Sequence, residues 1–112
     1  MTEKQTEAIV VLITAANAEE AIRLAELMVE KRLAPCVQIL PEMLSIYHWK
    51  GEVQRDREVL LLAKSTRARF DELEREVRAM HSYETPEIIA LSVTAASEPY
   101  LQWLISEART IN

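Results

Sequence analysis

Few residues in this 112-residue chain are of types that do chemistry, and they fall in four places. Cys36 is the single cysteine, by type a soft metal ligand or nucleophile. Set between Pro35 and Val37 in a strand-like run, it also reads as a buried small hydrophobe. His81 ends a helical segment, where the helix dipole favours an imidazolium. It reads either as that helix-terminal cation or as a metal ligand or titrating switch beside Tyr83, Glu84 and Glu87. His48 stands between Tyr47 and Trp49, and strand alternation turns it away from both, as an exposed or interface histidine. No Cys-x-x-Cys, His-x-x-x-His or His-Glu-x-x-His spacing occurs, so a closed zinc site within one chain is not expected. A site assembled between chains escapes that test.

The fourth place is basic. Lys64, Arg67 and Arg69 gather where a helix begins, against the dipole's preference for anions there. They read as solvated charges, or as an anion or carboxylate site in a subunit cleft that combines Lys64 with Tyr47, Trp49 and Tyr83. Catalysis is not expected. The chain has no phosphate-cradling glycine loop, no nucleophile elbow and no cofactor fingerprint, and nothing in the spacing supports a Cys36–His81 dyad.

Bulk properties narrow the setting. A net charge of −5 with no basic run above two residues argues against nucleic acid as a partner. The longest apolar runs, Ala8–Ile13 and Val59–Ala63, are too short to span a bilayer, so no membrane association is expected. No basic stretch followed by an apolar core opens the chain, and one cysteine makes no internal disulfide; both agree with a cytoplasmic protein. At 49% hydrophobic and 28% charged residues, positions 1–112 read as one globular domain with an ordinary core.

The elements that must position these residues turn on Gly51, the only glycine. Ala34–Leu40 and Ser45–Trp49 read as strand before it, and Glu52–Gln54 leads to the apolar run Val59–Ala63 after it. Lys50-Gly51-Glu52 is the turn. The hairpin arms are about 15 residues each, roughly 50 Å long. A domain of this size has a radius of gyration of about 13 Å, so the arms must project unless they bend. A projecting ribbon carrying Ile46, Tyr47 and Trp49 needs a cover, and another copy of the chain supplies it. An oligomer is therefore expected.

Met1–Thr6 reads as a polar lead-in that frays. Ala8–Thr14 is a strand apolar on both faces. Asn17 and Glu20 form a capping box for a helix that turns Ala18, Ala21, Ile22, Ala25, Met28 and Val29 inward, with Glu20 among the charges elsewhere on the wheel. Lys31 and Arg32 place cations at the C-terminal end of that helix, Pro35 closes it off, and Pro41 marks a bulge, bend or edge. Thr66 caps a second helix over residues 67–81, with Phe70, Leu73, Val77 and Met80 in one stripe. Glu87–Val93 is a fourth strand. A last helix starts at Ser97-Glu98-Pro99, with Leu101, Leu104, Ile105 and Ala108 inward and Tyr100 and Trp103 to one side. The order gives an α+β, ferredoxin-like split β-α-β fold: a four-stranded antiparallel sheet, two helices on one face, a long hairpin and an extra C-terminal helix.

Four segments then carry a resemblance: Ala34–Ile39, Ser45–Gly51, Leu62–Ser65 and His81–Ile88. The Tyr-x-Trp-x-Gly tip together with His-x-Tyr-x-x-Pro-Glu-Ile resembles the CutA divalent-cation tolerance proteins. That resemblance implies a homotrimer, similar to the PII signalling proteins, whose long hairpins complete the neighbours' sheets. It also implies binding of divalent cations, Cu(II) first, in metal tolerance, with no obligatory cofactor. Cys36, His81 and Glu87 are the ligands to test. The sequence departs from the richest metal pattern of the family, with Ile13 and Met80 where some members hold cysteine and histidine, Ser82 for a proline and Glu42 for a glycine. The alternative is a PII-like sensor or scaffold that binds a small anion in its intersubunit cleft and meets a protein partner at the trimer surface.

Overall fold

The computed structural model describes residues 7–110, so the expectation for Met1–Thr6 lies outside the described residues. Its elements are β1 (Ala8–Ala15), α1 (Ala18–Glu30), β2 (Cys36–Trp49), β3 (Glu52–Thr66), α2 (Phe70–Met80), β4 (Ile88–Ser92) and α3 (Glu98–Glu107). The strands lie in the order β2-β3-β1-β4, and every neighbouring pair is antiparallel. This is the expected split β-α-β sheet, with β4 one residue shorter at each end than the expected Glu87–Val93.

Alternation along β1 sorts its side chains. Ile9, Val11, Ile13 and Ala15 meet Leu61, Ala63 and Ser65 of β3 across one face, and the core closes there with Leu24 and Met28 of α1 and Leu73 and Val77 of α2. The other face carries Val10, Leu12, Leu60, Leu62, Ile89 and Leu91, in which Ile89 and Leu91 are exposed. Neither α1 nor α2 covers it. α3 packs by Leu104 near its Lys64 end, where the Lys64 ammonium lies 5.8 Å from the centre of the Tyr100 ring.

β1 pairs with β3 only from Val59 to Thr66, whereas β2 follows β3 to Trp49–Glu52. The outer half of the hairpin, Met43–Trp49 against Glu52–Glu58, is therefore a two-stranded ribbon with no third strand among the described residues. It draws the molecule out to 44 × 29 × 23 Å. The register shifts between Leu40 and Met43, so the bulge falls at Pro41, which has no amide hydrogen to give the ladder. At the tip Lys50 and Gly51 both have positive φ, 51° and 82°, the geometry of a two-residue type I′ turn. Asparagine tolerates that first position better than lysine. Lys50→Asn is expected to raise the thermal midpoint, with a gain of about 0.5 kcal/mol in a denaturation series.

Three helix expectations change. In α1 the buried side chains are Glu20, Ala21, Leu24 and Met28, while Ile22 and Val29 are exposed. The helix is rotated on its axis so that Leu24 and the Glu20 carboxylate point in. Thr66 makes no side-chain cap, and residues 67–69 form a 3-10 turn before α2 begins. Met80 lies exposed at the end of the α2 stripe. Lys31 is the C-cap of α1, and Arg32 takes a left-handed φ of 56°, which reverses the chain into β2.

Candidate functional site

The ribbon and the segment between α2 and β4 enclose a cleft of about 910 Å³. Counting outward from the type I′ turn, Trp49 pairs with Glu52, Tyr47 with Gln54, Ser45 with Asp56 and Met43 with Glu58. These positions share one face of the ribbon, so the Tyr47 and Trp49 rings stand beside the Asp56 and Glu58 carboxylates. The Tyr47 hydroxyl donates to Asp56. From the facing segment come Tyr83, Glu84 and Glu87. The Tyr83 hydroxyl donates to Glu58 Oε2 at 2.8 Å, tying that segment to the ribbon. Burial, reinforced by the Glu58 carboxylate, pushes the Tyr83 hydroxyl well above the ordinary tyrosine pKa. The Asp56 hydrogen bond shifts the Tyr47 hydroxyl in the same direction. Both phenols therefore remain donors.

Behind the cleft lies a buried polar knot. Glu20 is 3% exposed, and its carboxylate accepts from the amides of Ala16 at 3.0 Å and Ser82 at 2.7 Å. The Asn17 side chain accepts from the Glu20 amide, as a cap should. The Glu20 carboxylate does not close the box on Asn17; it reaches instead to the loop after α2. His81 has no exposed side-chain surface. Its Nε2 donates to the Thr14 carbonyl at 2.7 Å and its Nδ1 accepts from the Tyr83 amide at 3.0 Å, a neutral imidazole with both nitrogens in use. The Tyr83 ring packs tilted on the imidazole, with centroids 4.8 Å apart.

The residues singled out by type thus fall into separate groups. Tyr47, Trp49, Tyr83 and Glu87 converge on the cleft. Lys64 does not. It pairs with Cys36 across β2 and β3, and both sit by Tyr100 at the far end of the sheet. β1 gauges the gap: Lys64 is opposite Val10 and His81 holds Thr14, four positions or about 13 Å apart. A cleft without Lys64 and with four carboxylates is negative, so one protomer does not assemble the expected anion site. Cys36 is half-buried rather than fully buried, and desolvation together with its sulfur raises the Tyr100 pKa. The basic cluster also disperses. Arg69 is buried, donates to the Lys31 and Arg32 carbonyls at the end of α1 and pairs with Glu72 at 3.0 Å. His48 is exposed on the ribbon face opposite Tyr47 and Trp49, as alternation requires.

With this geometry in view, the model of the family described as CutA1 divalent ion tolerance protein matches residues 9–107. The chain belongs to the CutA1 family. A Thermus thermophilus divalent-cation tolerance protein CutA is 48% identical over 95 residues, which are 85% of this chain and 92% of that protein. The human protein CutA is 44% identical over 92 residues, 82% of this chain, and the chain spans only 51% of the human protein's length. Among solved structures, CutA1 from Oryza sativa superposes with a TM-score of 0.90 at 39% identity, covering 96% of this chain and 98% of that one. The four-stranded sheet and its three helices are thus a CutA1 fold, and the cleft is built on its most extended element.

Asp56, Glu58 and Glu20 were not singled out by type. For the first two a signal existed, since register counted from Gly51 puts them on the Tyr47 face. For Glu20 none did, because its partners Ser82 and His81 are more than 60 residues away in sequence.

Proposed function

We propose that this chain is a non-catalytic binding protein that assembles as a homotrimer and takes up divalent cations, Cu(II) first, in a cytoplasmic metal-tolerance role. The observation that carries the reading is the acid-lined cleft at the root of an uncovered ribbon, in a chain of the divalent-ion tolerance family. Trimer formation is supported by the same features that made an oligomer the expectation: the ribbon exposes Leu44, Ile46 and Val53, and the open sheet face exposes Ile89 and Leu91. The cytoplasmic assignment is supported by the single, unpaired cysteine.

The donor set decides how such an ion is held. Among the described residues no three of His, Cys, Asp and Glu lie close enough to share one ion. In this proposal Glu87 therefore works with donors of another copy, and His81 and Cys36 contribute from different protomers. His81 ligates only by giving up its bond to Thr14 or to Tyr83. The test is native mass spectrometry with a small excess of Cu(II), then Zn(II). The expected result is a trimer with a fixed, low number of ions and an affinity about tenfold weaker in Glu87→Gln. Adducts spread over many stoichiometries, unchanged by Glu87→Gln, would end the metal reading.

A further inference from the structure

The cleft has a property that a metal ion alone does not use. Four carboxylates line it, those of Asp56, Glu58, Glu84 and Glu87, against one basic lining residue among the described residues, Arg57, and the Lys50 amine that lies over the Trp49 ring. The Arg57 guanidinium is paired with Glu42 at 3.3 Å. Glu58 is 7% exposed, and among the described residues it has no lysine, arginine or histidine as an ion-pair partner. Among the described residues only the Tyr83 hydroxyl donates to it, at Oε2. A carboxylate this buried is ordinarily balanced by a cation, because desolvation is costly without one. The carboxylates are also spread along the cleft rather than gathered, since no three of them can share one ion.

The walls between them are aromatic. Tyr47 and Trp49 expose their rings on the ribbon, and Tyr83 faces them from the other side. An alkylammonium already rests on one of these walls: the Lys50 amine lies 5.9 Å from the Trp49 ring centre. Distributed anionic charge, flat π faces and a volume of about 910 Å³ match an elongated organic cation. We infer that the cleft binds a linear aliphatic polyamine, its ammonium groups paired with Glu58 and with Glu84 or Glu87, and its methylene chain laid along Tyr47, Trp49 and Tyr83. This goes beyond the metal reading and stands without it.

The probe is spermidine, titrated by calorimetry into the intact protein in EDTA at physiological ionic strength, with tryptophan fluorescence followed in parallel. The expected result is saturable binding of one spermidine per cleft, with a change in fluorescence from Trp49. Glu58→Gln keeps a hydrogen-bond acceptor for Tyr83 and removes the charge, and it weakens binding about tenfold or more. Glu84→Gln, at an exposed position, weakens it in the same direction and covers the case in which Glu58→Gln fails to fold. Glu30→Gln, at the exposed end of α1, removes equal charge elsewhere and leaves the affinity unchanged. Heats that vanish against an equal ionic strength of sodium chloride, or cleft variants that behave like Glu30→Gln, would show general attraction to an acidic surface and overturn the proposal. Because metal is chelated throughout, failure here leaves the Cu(II) experiment untouched.

Discussion

Glu20→Ala is expected to lower the folding free energy by about 3 kcal/mol, a large effect for a residue that sits on a helix of charges. Two part-buried amides, those of Ala16 and Ser82, lose their acceptor at once. Each buried donor left unpaired costs about 1–3 kcal/mol. The same substitution releases the segment that carries Tyr83 and Glu84 into the cleft, so polyamine and metal uptake should weaken together with stability. Burial by itself raises the Glu20 pKa, but the Ala16 and Ser82 hydrogen bonds outweigh it, and the net shift is downward. A depressed folded-state pKa means that the stabilisation is fully present above the ordinary carboxylate value, about 4.3. It is lost as pH falls through the lower folded value. Urea denaturation at fixed protein concentration, repeated from neutral pH downward, checks both parts. Wild type and Glu20→Ala should differ by a constant amount at neutral pH and draw together in acid. A difference that stays the same to the lowest pH would mean that the knot's charge does not stabilise the fold.

Leu91→Glu is expected to abolish assembly while leaving the protomer folded. Leu91 is 50% exposed, lies opposite Val10 on β1 and shares the open sheet face with Leu12, Leu62 and Ile89. It takes no part in the core under α1 and α2. In the proposed trimer this face is buried, and a carboxylate placed there without a partner costs several kcal/mol in each copy. Light scattering coupled to size exclusion should give a trimer for wild type and single protomers for Leu91→Glu, with matching far-ultraviolet circular dichroism. Leu91→Ala, which removes area and adds no charge, should weaken the trimer without dissolving it. A wild-type protein that runs as a monomer would remove the assembly reading and the shared-ligand metal site with it.

Much of the frame was legible because its signals are local. The continuous apolar run Val59–Ala63, the lone Gly51 and the proline at 41 each act over a few residues, and strand, turn and bulge stand where they point. The hairpin register was also readable, since counting from the turn joins Tyr47 to Asp56. What misled was α1, where Ile22 and Val29 fit the helical period as well as Leu24 and Met28 do. Both stripes are apolar, and only contact with the sheet selects one of them.

The sequence by itself determined the split β-α-β order, the long hairpin, the aromatic tip and the membership signalled by its motifs, because period, turn chemistry and residue type are properties of short stretches. Tertiary structure alone decided the site. It sent Lys64 and Cys36 to one end of the sheet and Tyr47, Trp49, Tyr83 and Glu87 to the other. It also used up both nitrogens of His81 and buried Glu20 against a loop 62 residues away. Charge and ligand chemistry depend on distances between segments remote in sequence, and those distances exist only once the strands have paired.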